Sequence, residues 1–137
     1  MHKRLALLMI AENENIASNK AQNFMDKHKW HVWERYEIGG RWEGILSKES
    51  NIVKLVDCID IIKSWQQTIV DAKKEEEDAK KWIPDYNMYG FCLIGAGCLY
   101  RQKFFYGCNV FNVETNNYEI PVIDIEKYYV VLIDMDH

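Results

Sequence analysis

The chain has 137 residues, 48% of them hydrophobic and 28% charged, with a net charge of −4 at pH 7. That length suits one domain able to bury roughly two thirds of its unfolded surface. The composition is too apolar for a disordered chain, no apolar run nears the ~20 residues of a membrane span, and the acidic balance excludes general phosphate neutralisation of DNA or RNA.

In chain order, Arg4 to Ala11 is an apolar run that predicts a buried first strand. The basic start MHKR precedes it, but the run is short and meets Glu12 and Glu14 without a small-residue cleavage site, so it reads as a strand and not a signal peptide. Asn13 or Asn15 then caps a helix whose apolar face is Ala17, Ala21, Phe24, Met25 and His28. From Trp30 to Leu46, aromatic and β-branched residues are interrupted by Gly39, Gly40 and Gly44, which fits a loop or bulge between extended pieces. Ile52, Val53, Val56, Ile59, Ile62, Trp65, Ile69 and Val70 recur at helical spacing. The run DAKKEEEDAKK prolongs that helix, its Lys73/Glu77 and Glu76/Lys80 pairs marking a solvated face. NIVKLVDCIDI also fits an extended segment, so residues 51–63 carry both readings. Pro84 ends the helix. Strands follow in MYGFCLIG and, after a turn at Gly95-Ala96-Gly97, in CLYRQKFFYGCNVF. A polar turn at Glu114 to Asn117 leads to a last strand, KYYVVLIDMDH. The fold expected is a single α+β domain over residues 1–137, a mainly antiparallel sheet with one or two helices on one face, in a ferredoxin-like variant.

The segment YEIGGRWEG, Tyr36 to Gly44, carries the candidate site. Two adjacent glycines turn the backbone tightly and expose consecutive N–H groups that form an anion nest, and Arg41 adds a planar charged fork. With Trp33, Tyr36 and Trp42 nearby, the loop can hold a phosphate or carboxylate while an aromatic ring stacks on a flat group. The residues assigned to ligand binding are therefore Trp33, Tyr36, Gly39, Gly40, Arg41 and Trp42. The competing reading is architectural: a glycine bulge turns Trp42 into the core, and Arg41 bonds a carbonyl or an acid of the long helix.

Elsewhere the chemistry is sparse. Asp134 and Asp136 share one strand face, with His137 and Met135 on the other; such a pair can bind a divalent metal or share acid and base roles, but at a strand end it more often faces solvent. His2, His28, His31 and His137 have no zinc spacing. Cys58, Cys92, Cys98 and Cys108 form no C-x-x-C and read as reduced thiols of a cytoplasmic protein. There is no G-x-S-x-G elbow, Walker loop or dinucleotide fingerprint, so no catalytic residue, metal or cofactor is assigned.

The segment WERYEIGGRWEG, Trp33 to Gly44, resembles the signature of a family of small uncharacterised proteins of bacteria and their phages, in which an aromatic W-x-x-Y precedes I-G-G-R-W. Weaker similarities lie in LIGAGCLY, Leu93 to Tyr100, and in the terminal IDMDH. The resemblance implies a shared fold and a phage setting, hence the cytoplasm of a bacterial host. Combined with the aromatic, polar loop, it leads to the expectation of a non-enzymatic binding protein, a counter-defence antagonist that occupies a host defence protein or sequesters a small anionic, nucleotide-like ligand, without membrane or general nucleic-acid partners. A small nucleotide- or RNA-processing enzyme is the alternative. A structural component that forms a homo-oligomer through Phe104-Phe105-Tyr106 and Tyr128-Tyr129 is the third reading.

Overall fold

The computed structural model describes residues 2–32, 35–80 and 109–136. Trp33, Pro84, Cys92, Cys98, Cys108, His137 and the strands expected between residues 88 and 108 lie outside the described residues, as do the side chains of His28 and His31.

Two long strands form the centre of the sheet. β1, His2–Ile10, and β5, Tyr128–Asp136, pair antiparallel along their whole length, from His2↔Asp136 to Ile10↔Tyr128. Both are apolar at odd and even positions, the pattern of strands buried on two faces. Leu5, Leu7, Met9, Val131 and Ile133 point to one side, and Ala6, Leu8, Val130 and Leu132 to the other, all fully buried. Each Leu, Ile, Val or Met among them contributes roughly 1.5–3 kcal/mol on burial. β4, Asn109–Asn112, runs parallel to β1 on its other side. The opposite edge is an interrupted strand: β2, Arg35–Ile38, pairs with Asp136 to Ile133, and β3, Ile52–Lys54, pairs with Val131 to Tyr129.

α1, Glu14–Val32, starts as its sequence requires: the Asn13 side chain accepts the Ile16 N–H at 3.0 Å. Its buried face is Ala17, Ala21 and Met25, with Phe24 partly buried, against the odd residues of β1 and β5. α2, Leu55–Lys80, follows β3 without a break and packs Leu55, Cys58, Ile62 and Trp65 against the even residues. The two readings of residues 51–63 thus divide at Leu55, extended before it and helical after it, with a kink at Cys58 (φ −134°, ψ 17°). The α+β class expected from the sequence is the class observed. The helices differ in placement: they lie on opposite faces of the sheet, where cover on one face in a ferredoxin-like manner was expected. The reason is that β1 and β5 are apolar at both parities, so each face requires its own helix.

Burial pushes the Cys58 thiol up to about 12, with the neighbouring Asp57 charge adding to the effect. The reactive thiolate is correspondingly scarce. Iodoacetamide at pH 8 is expected to spare Cys58 in the native protein and to label it after unfolding, as read by peptide mass mapping; labelling at the rate of a free thiol in the native state contradicts this packing.

Candidate functional site

In β2 the alternation of the strand sends Tyr36 and Ile38 to the α1 face, and Arg35 and Glu37 to the α2 face. Tyr36 therefore leaves the glycine motif. Its hydroxyl donates to Asp26 of α1 at 2.7 Å, and desolvation, that hydrogen bond and the Asp26 charge push it up to about 12.

The ladder closes at Gly39, whose N–H donates to the Leu132 carbonyl at 2.8 Å. Gly39 then adopts φ 79°, ψ −76° and Gly40 φ 51°, and the chain winds through one 3-10 turn, Gly40–Trp42, in which the Trp42 N–H returns to the Gly39 carbonyl at 2.9 Å. It rejoins the edge at Asn51, whose carbonyl accepts the Leu132 N–H at 3.0 Å. Residues 40–50 are thus a loop of Ω type, with both ends fastened to one residue of β5. The neck is tight: a Cβ on Gly39 would fall 2.2 Å from Asn51 Nδ2.

The loop folds over the α2 face of the sheet. Trp42 and Leu46 pack against the cluster of Leu55, Ile62 and Trp65. The Arg4 guanidinium lies 5.0 Å from the Trp42 ring centre and 5.3 Å from that of Trp65, so it is flanked by two indoles. Cation–π contacts of this kind stabilise by about 0.5–2 kcal/mol each. Beneath the turn sits Asp134, 5% exposed. Its Oδ2 accepts the Arg41 backbone N–H at 2.9 Å and its Oδ1 accepts from His2 Nδ1 at 2.7 Å. The anion held by the glycine turn is therefore a side chain of the same protein. Burial of that carboxylate is tolerated because both oxygens are bonded.

Around Asp134 the sheet face carries two cross-strand rows, Arg35–Asp136–His2 and Glu37–Asp134–Arg4. Arg35 Nη2 donates to Asp136 Oδ2 at 2.6 Å. Asp134 and Asp136 share a face, as the alternation of β5 requires. Among the described residues no group of three or more His, Cys, Asp or Glu is arranged to hold a metal ion.

Of the residues assigned from the sequence, Gly39, Gly40, Arg41 and Trp42 form one structure. Trp42 turns inward over Arg4, as the architectural reading holds. Arg41 follows neither reading fully: its backbone bonds an acid of the last strand, and its side chain is exposed. Three participants carry no local motif, His2, Arg4 and Trp65. The parity of β1 against β5 is the signal that would have found the first two, since pairing of the terminal strands sets His2 and Arg4 on the face of Asp134. A separate depression of about 560 Å³ lies at the other end of β1, lined by Ile10, Ile16, Lys20 and Lys127 among others, and shares no residue with this loop. Among known proteins, the chain matches no family model, no curated protein and no solved structure.

Proposed function

We propose that this chain is a non-enzymatic binding protein whose contact element is the loop of residues 40–50, with Arg41 as its anchor. One observation carries the reading: the loop is fastened inward through its backbone to Asp134 and Leu132, while the Arg41 guanidinium is exposed and has no partner among the described residues. A rigid loop that presents an unpaired planar cation loses little entropy on binding an anion. The resemblance to small phage proteins supplies the setting, an antagonist in the bacterial cytoplasm that engages a host defence protein or sequesters a nucleotide signal.

The Arg41–Asp134 contact also favours a second reading, a small nucleotide- or RNA-processing enzyme, because it brings the glycine motif to the C-terminal acids. Against that reading, Asp134 is enclosed with both oxygens engaged, which leaves it poorly placed to exchange a proton with a substrate.

Arg41→Ala is expected to weaken binding by roughly tenfold or more, and Arg41→Lys to restore it poorly, because a point charge does not reproduce a bidentate fork. Both variants are expected to melt close to the wild type, since exposed substitutions stay within about 0.5 kcal/mol. Titration with nucleotides and cyclic dinucleotides, and capture of host proteins on immobilised wild-type and Arg41→Ala protein, test the reading. Binding that is indifferent to Arg41 in every assay defeats it.

A further inference from the structure

Two residues with unused hydrogen-bonding capacity, His2 and Arg41, lie at the same end of the α2 face, and one carboxylate ties them together. Because Asp134 accepts at both oxygens, His2 donates through Nδ1 and its ring orientation is fixed. The other ring nitrogen, Nε2, has no partner among the described residues, and the side chain is 32% exposed. The Arg41 backbone and the His2 ring are separated only by the Asp134 carboxylate and two hydrogen bonds.

Charges face this position from several neighbouring elements. Arg4 of β1 is held between Trp42 and Trp65, Asp134 is enclosed, and Asp136 is engaged by the N-terminal amine and by Arg35, which hold its carboxyl below the usual range. Glu37 of β2 is exposed beside Asp134, and it is the carboxylate here with no partner among the described residues. The two groups left for a ligand are His2 Nε2, which donates once it carries a proton, and the Arg41 guanidinium.

We propose that they form a two-point site for the phosphate group of a nucleotide-sized ligand, with Asp134 as the positioning residue for both. This deepens the reading of the loop as a binding element and rests on it. A tetrahedral phosphate offers two oxygens to the guanidinium fork and a third to an imidazole N–H. Since Nδ1–H is already given to Asp134, that third contact requires Nε2 to carry a proton as well. The bound form therefore places an imidazolium between Asp134 and the phosphate.

Pyrophosphate is the probe, titrated calorimetrically at pH 7. The wild type is expected to bind. His2→Asn retains a donor at the Nδ1 position but has no Nε2; it is expected to fold and to bind roughly tenfold more weakly. Glu37→Gln is expected to bind more tightly, because it removes a like charge beside the phosphate. In the wild type, the Nε2 nitrogen resonance of His2 is expected to move during the titration, a readout independent of how any variant folds. Absence of pyrophosphate binding overturns the inference, as does a His2→Asn variant that binds with wild-type affinity, or a His2 resonance that stays still. In each of those cases, any binding partner lost in Arg41→Ala leaves the loop reading standing, whereas indifference to Arg41 ends both.

Discussion

Asp134→Ala is expected to lower stability by about 3 kcal/mol, which for a chain of this size is roughly 10 °C in melting temperature. Two contacts are lost together. The Arg41 N–H, and with it the turn, is left without its acceptor, and His2 loses the anchor of its ring. Asp136→Ala is the control, because its partners are the N-terminal amine and Arg35, which is 78% exposed, so that its ion pairs are screened by water. Trypsin extends the test to the loop itself: cleavage after Arg41 is expected to accelerate in Asp134→Ala and to stay slow in Asp136→Ala. If Asp134→Ala melts with the wild type and resists trypsin equally, Asp134 does not hold the loop.

Gly40→Ala is expected to be at least as damaging, for a steric reason. At φ 51° an L-residue costs about 1 kcal/mol, and the added Cβ would fall 2.7 Å from the Cβ of Asp134. That atom belongs to a central strand paired on both sides, so the loop must lift and the Arg41–Asp134 bond must break, for a total of about 3 kcal/mol. Gly39→Ala meets the end of the Asn51 side chain, which can turn aside, so a smaller loss than at Gly40 is expected. Gly44→Ala separates strain from contact, since nothing lies within 4 Å of a Cβ there; about 1 kcal/mol is expected. Thermal unfolding of the three variants checks the order. Equal small losses at Gly40 and Gly44 would mean that the turn does not press on Asp134.

The sequence by itself determined the local elements. Arg4 to Ala11 and the last strand read as buried because both parities are apolar, and Asn13 or Asn15 reads as a cap because such a side chain satisfies a free N–H in the first turn, the place Asn13 takes. The glycine pair reads as a sharp turn at a strand edge because adjacent glycines adopt positive φ without steric cost. These features depend on neighbours a few positions away. Only the tertiary structure decided which face each helix covers and which anion fills the turn. Asp134 lies 93 residues from Arg41 and 132 from His2, and their meeting depends on β1 and β5 pairing in one register. A slip of one residue would carry Asp134 to the α1 face and leave the glycine turn empty. Two aromatic residues assigned to the loop are parted for the same physical reason: strand alternation sends Tyr36 to Asp26 on one side of the sheet, while the turn at Gly39 folds Trp42 over Arg4 on the other.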